Sequence, residues 1–170
     1  MPLNKHELKE KIESEGLIQD YIDLETQLTP QGFDLTAGEI YEYSGKGKLD
    51  FSNNERKIPA SEKLNPERKP GNDYGWWKLE PGAYKVKMNE KVDIPENLMA
   101  YAFPRSSLLR MGCSIENAVW DAGTTVRGAC LLKVENPEGV EIKENARFNQ
   151  VVFHRIKEVE EGYSGDYLEI

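Results

Sequence analysis

A chain of 170 residues, 38% of them apolar and 31% charged, suits a single soluble domain that buries roughly two-thirds of its unfolded surface, so neither disulfide nor metal is needed for folding. Thirty acidic residues against twenty-two basic ones leave a formal charge of −8, which sets polymeric nucleic acid aside as a partner while permitting a small anion in an arginine-lined pocket. No apolar run approaches the roughly 20 residues that cross a bilayer, which sets a membrane aside as well.

The opening MPLNKHELKEKIESEG is charged throughout and lacks the apolar centre of a secretion signal, so a cytoplasmic location is expected and Cys113 and Cys130 read as free thiols. Within it, Asn4 to Glu15 predicts a short helix: Asn4 as N-cap, Leu8 and Ile12 one turn apart, and Gly16 as the stop. Residues 1–20 are thus a helical extension on a single domain. From Gly32 onward glycine, proline and asparagine divide the chain into short apolar or alternating runs. The runs at Glu39 to Tyr43, Trp76 to Leu79, Ala83 to Met88 and Leu98 to Phe103 predict strands, as do Ala129 to Val134, Val140 to Ile142 and Val151 to Ile156. Together they predict an all-β, mostly antiparallel sandwich or barrel with helix a minor component. Between Ser52 and Tyr74 a polar, proline-punctuated stretch predicts an exposed loop. Trp76 and Trp77, adjacent on a strand, should point to opposite faces, one into the core and one toward a subunit contact.

Four blocks carry candidate chemistry. AFPRSSLLRMG places Arg105, Ser106, Ser107 and Arg110 together, two forked cationic donors around two small hydroxyls, a set suited to phosphate oxygens. Taken alone, the block reads more simply as serines capping a helical turn with arginines in solvent. ENAVWDAGTTVRG brings Asp121 out of an apolar run into a turn, where a carboxylate can act as general base toward water or simply bond nearby amides. GFDL places Asp34 just before a strand, where it could help hold a hydrated divalent cation. ARFNQVVF places Arg147 and Gln150 at a strand entrance, and the Gln150 amide can bond both phosphate and water. Each of these polar residues, taken singly, reads first as an ordinary loop or edge position. His154 reads as one position of an alternating strand and His6 as part of the helix. With the two histidines far apart and the cysteines unpaired, no zinc-ligand spacing exists.

The order GFDL, PRSSLLRMG, NAVWDAG, RFNQVVF resembles the successive motifs of the dUTPase and dCTP deaminase superfamily, over residues 32 to about 167. The likeness is nearest to its archaeal dUTPase branch, which has similar WWKLEPGAY, PRSSLLRMG, AVWDAG and GYSGDY segments. The resemblance implies a compact β-fold, a homotrimer with sites at subunit boundaries, and magnesium-dependent cleavage of dUTP to dUMP and pyrophosphate. It further implies that Asp121 activates the attacking water and that Asp34 contacts magnesium through water. Arg105, Ser106 and Ser107 would hold the triphosphate, Gln150 would lie near the phosphates, and Asn117 would lie where the pyrimidine is recognised. Thr124 stands where family members place an aromatic ring against the deoxyribose. Residues 162–170 stand for the family's closing arm, with Tyr163 or Tyr167 as its stacking ring. Deaminases of the superfamily carry a catalytic glutamate where GACLLKVEN has Lys133, and an ammonium cannot shuttle that proton. A non-catalytic nucleotide-binding module on the same fold is the alternative to the hydrolase, and a dCTP deaminase the more distant one.

Overall fold

The computed structural model describes residues 1–162. Helix α1 (Lys5–Glu15) begins where the Asn4 side chain accepts hydrogen bonds from the His6 and Glu7 amides while Glu7 returns one to the Asn4 amide. It ends at Gly16, whose φ of 71° is the left-handed conformation that closes helices, and it buries Leu8 and Ile12. The sequence expectation for this element holds residue by residue.

The chain continues through β1 (Ile18–Gln19), α2 (Leu24–Gln27), β2 (Leu28–Thr29), β3 (Gly32–Ser44), β4 (Ala60–Lys63), β5 (Trp76–Leu79) and β6 (Gly82–Met88). It then forms β7 (Lys91–Asp93), β8 (Leu98–Pro104), α3 (Ser106–Arg110), β9 (Cys113–Glu116), β10 (Thr125–Val126), β11 (Ala129–Val134), β12 (Val140–Lys143) and β13 (Arg147–Arg155). The principal sheet runs β8-β13-β3-β6-β11-β9, with β2 and β4 added to β3; β1-β7-β10 and β12-β5 form smaller sheets. Every one of these pairings is antiparallel. The outer strands of the principal path, β8 and β9, come back into contact, which nearly closes the sheet into a barrel. Phe33, Leu35, Ile40, Val86, Leu132, Phe148, Val151 and Phe153 fill its interior.

Strand β3 is the spine: its first half pairs with β13 and its second half with β6 and β4. Here the expectation needs correction, because Asp34 lies inside this strand and not ahead of it. Residues Gly32 to Ala37 are all buried, so both faces of β3 are covered and the alternation that marks a half-exposed strand is missing. The polar stretch after Ser52 is also less irregular than expected, since β4 pairs with Tyr41 to Ser44. A backbone ladder needs no buried face, so ASEK can extend the sheet without apolar residues. The tryptophan pair divides as its spacing requires, Trp77 being 2% exposed with its indole donating to the Leu64 carbonyl, and Trp76 40% exposed.

Candidate functional site

Strands β3 and β13 lie side by side with Gln150 opposite Asp34 and Arg147 opposite Thr36. An irregularity between Arg147 and Asn149 lets Arg147 and Gln150 both reach the Asp34 side of the sheet. Arg105, at the end of β8, is pinned by its amide to the Phe148 carbonyl. Four side chains thereby converge. The Arg105 Nε lies 2.9 Å from Asp34 Oδ2, the Arg147 Nη1 3.4 Å from the same oxygen, and the Gln150 Nε2 donates to Asp34 Oδ1 at 3.3 Å. Arg105 Nη1 also donates to the Arg147 carbonyl. Of the five guanidinium donors of Arg105 these contacts use two, and the others are free to meet an anion.

The Asp34 carboxyl is 1% exposed. Burial raises it above the ordinary carboxylate value, against the opposing pull of Arg105, Arg147 and the Gln150 hydrogen bond. Removing Asp34 would leave two adjacent guanidiniums repelling each other, so this carboxylate is what allows two cations to share one spot.

Helix α3 follows directly, with Ser106 and Ser107 in its first turn. Arg105 is the N-cap residue and no side chain caps the helix, so the simple reading of the serines as caps does not hold. Both serines are exposed, as is Arg110, whose guanidinium reaches back to the Ser106 carbonyl at 3.4 Å.

Behind the cluster stands a wall that sequence reading missed. Arg147 Nη1 donates to the Thr26 carbonyl at 2.6 Å, and Gln150 Nε2 to Thr29 Oγ1 at 3.0 Å. The Gln27 amide, 2% exposed, donates to the Asp34 carbonyl and to the buried Glu90 carboxylate, while its oxygen accepts the Ile22 and Asp23 amides. Glu90 in turn accepts the Thr36 amide and hydroxyl. No sequence spacing marks these residues: Gln27 at the end of α2 and Thr36 in β3 meet Glu90 across 63 and 54 positions.

On the opposite side of β13, Asn149 donates to Asn117 Oδ1 at 3.0 Å, and Asn117 donates to the Ala102 carbonyl at 3.0 Å. Asn117 thus lies beside the strands that carry the cluster, which its position in the sequence did not reveal. Just beyond it Trp120 bridges to Ala100 and seats its ring against Gly128, where any Cβ would stand 2.6 Å from the ring. Trp120 and Ala122 are buried, so the turn is anchored on both sides of Asp121. Asp121 itself is exposed, with no hydrogen-bond or ion-pair partner among the described residues. Thr124 is 8% exposed and its carbonyl accepts the Ile94 amide, which leaves its side chain little surface for a sugar. Gly162 lies against Gly123 in the same turn; Tyr163, Tyr167 and the rest of the tail lie outside the described residues. Lys133 Nζ is paired with Glu116 Oε1 at 2.9 Å on the outer side of β11.

Among the described residues no three His, Cys, Asp or Glu side chains gather as a metal cage. Asp34, the one carboxylate expected near magnesium, spends its oxygens on Arg105, Arg147 and Gln150. This donor set does not fit a resident metal ion.

Residues 2–156 match the family model described as dCTP deaminase-like. A protein of Methanosarcina mazei named a probable deoxyuridine 5'-triphosphate nucleotidohydrolase is 47% identical over 167 residues, covering 97% of this chain and 95% of that one. The deoxyuridine 5'-triphosphate nucleotidohydrolase of Methanocaldococcus jannaschii is 38% identical over 143 residues, covering 84% of this chain and 88% of that one. Among solved structures, the 2'-deoxycytidine 5'-triphosphate deaminase from Agrobacterium tumefaciens superposes with a TM-score of 0.59 at 21% identity, covering 89% of this chain and 47% of that one. That likeness speaks to the fold alone. With a family model spanning nearly all the described residues and relatives matched along almost their whole length, the chain belongs to the dCTP deaminase-like family.

Proposed function

We propose that the protein is a hydrolase that splits dUTP into dUMP and pyrophosphate by attack of water on the α-phosphorus. The observation that carries this reading is the cluster of Arg105 and Arg147 on Asp34 beside the uncapped, exposed hydroxyls of Ser106 and Ser107. Such a set is prebuilt for phosphate oxygens: two cations are already held in place, so binding an anion requires little reorganisation. The names of relatives at 38% to 47% identity supply the nucleotide.

In this reading Arg105, Ser106, Ser107 and Arg110 bind the triphosphate and neutralise charge on the departing pyrophosphate. Arg147 and Gln150 complete that surface. Asp121 accepts the proton of the attacking water, a role open to an exposed carboxylate with no competing cation. Asn117 faces the pyrimidine, Thr124 stands nearest the sugar by its place in the motif, and Tyr163 is the ring that stacks on the nucleotide. Magnesium enters bound to the triphosphate and offsets part of its charge. The assembly we infer is a homotrimer. Tyr101 and Phe103, 39% and 55% exposed on β8, flank the cluster on the outer face and suit burial against a second copy. A cytoplasmic setting agrees with two free, buried cysteines.

A non-catalytic binding module is favoured by one observation, the lack of any side chain that orients Asp121 among the described residues. The test is incubation of the purified protein with magnesium and dUTP, dCTP or UTP, resolving nucleotides and assaying pyrophosphate and ammonia. The hydrolase releases dUMP and pyrophosphate from dUTP. Binding without turnover would give the module instead, and ammonia from dCTP would give the deaminase, against which the Lys133–Glu116 pair stands.

A further inference from the structure

Asn149 is 0% exposed, and its Oδ1 has no hydrogen-bond partner among the described residues. A buried amide oxygen left unpaired is costly, so its retention two residues from Arg147 calls for a reason. The reason lies in the direction of the hydrogen-bond chain. The Ala102 carbonyl can only accept, so Asn117 must turn its Nδ2 toward it. Asn117 Oδ1 then faces Asn149 and must be given a hydrogen, so Asn149 presents Nδ2 and its own oxygen is turned away from every partner. Each step fixes the next, and the starting point is a backbone atom that cannot reverse.

We propose that Asn149 is a positioning residue that sets base specificity by holding the Asn117 amide in place, as the second anchor beside the Ala102 carbonyl that selects its orientation. The proposal rests on the reading of Asn117 as the group that faces the pyrimidine. An amide held by the Ala102 carbonyl alone can swing away from it and meet a base with either its donor or its acceptor, whereas one held at both ends cannot. Uracil offers an N3–H donor beside O4, whereas cytosine offers an N3 acceptor beside an amino group. The two bases differ by this exchange. A locked Asn117 keeps one acceptor lone pair and one N–H in fixed places and therefore matches one base and opposes the other.

The experiment is Asn149→Leu, which replaces the amide with an apolar group of the same branching. Binding of non-hydrolysable α,β-imido dUTP and α,β-imido dCTP with magnesium is measured by calorimetry, alongside Tm and steady-state hydrolysis of dUTP. Loss of the buried orphan oxygen offsets loss of the hydrogen bond to Asn117, so Tm should change little. The ratio of dUTP-analogue to dCTP-analogue affinity should fall by about tenfold, KM for dUTP should rise, and kcat should change little. In an Asn117→Ala background the same substitution should leave the ratio unchanged, because Asn149 acts through Asn117. An unchanged ratio in Asn149→Leu, or an equal fall in the Asn117→Ala background, would overturn the proposal. So would a lowered Tm with kcat falling in step, which marks a merely structural residue. If leucine does not fold, Asn149→Val carries the same readouts in a smaller side chain suited to a strand. Wild-type protein that binds the analogues but hydrolyses nothing counts against the hydrolase alone, since discrimination is read from binding; wild-type protein that binds neither removes both.

Discussion

Asp34 is 1% exposed and held by two guanidiniums and an amide, whereas Asp121 is exposed and without a side-chain partner among the described residues. The first carboxylate sits at the centre of a wired cluster, backed by α2 through Thr26 and Gln27 and by β2 through Thr29. The second stands on a turn anchored at its flanks by the buried Trp120 and Ala122. A group that organises cations must be buried among them, while one that takes a proton from water must meet water. On the proposed reading, the difference separates a binding half of the site, already wired within one chain, from a chemical half that nucleotide, water or a neighbouring copy would complete.

The sharpest way to break this division is Asp121→Asn. The account expects kcat for dUTP to fall by about 10³-fold with nucleotide affinity nearly unchanged. A parallel loss of affinity, measured by calorimetry, would put Asp121 in the binding half. The converse is Arg105→Ala, expected to cost about 10²-fold in kcat/KM, most of it in binding. Lysine at the same position should restore little of it, because an ammonium cannot bond Asp34 and phosphate through one planar fork.

Much of the binding half is visible in the one-dimensional pattern, because Arg105, Ser106, Ser107 and Arg110 fall within one turn and a cap, and Arg147 and Gln150 within four residues. Even so, their convergence on Asp34 depends on β13 pairing with β3, which links positions 113 and 116 apart, and no local spacing encodes it. The wall behind them was illegible for the same reason: Gln27 and Glu90 are single polar residues whose only mark is burial. Asn149 stood in plain sight next to Gln150, and alternation along a strand already implies that the two face opposite ways. What could not be read was that the inward one lacks a partner for its oxygen. Among the strands, Trp76–Leu79 and Ala129–Val134 were legible to the residue because alternation and flanking turn residues bound them. Strand β3 extended beyond its expected start because both its faces are covered.

Smaller effects sharpen the role of the wall. Gln27→Ala removes the donor that ties the Asp34 backbone to Glu90, and the account expects a several-fold rise in KM with little change in kcat, together with a lowered Tm. A change confined to Tm would make Gln27 a structural residue only. The smallest expected effect is in pH. Because burial raises the Asp34 carboxyl, the protonated form suits the folded state better, and the stability this group contributes is full below the ordinary aspartate value of about 3.9 and lost as pH rises through the raised one. The Tm of wild type relative to Asp34→Asn should therefore decline over the interval in which pH climbs from about 3.9 through the raised value. A rise over that interval would mean that the arginines outweigh burial.

The central claim, that water attacks the α-phosphorus of dUTP at this site, is tested most directly by a single turnover in ¹⁸O-labelled water with the products separated and weighed by mass spectrometry. The account predicts the label in dUMP, unlabelled pyrophosphate and no ammonia. Label in the pyrophosphate, or dUTP recovered intact from protein that binds it, would contradict it.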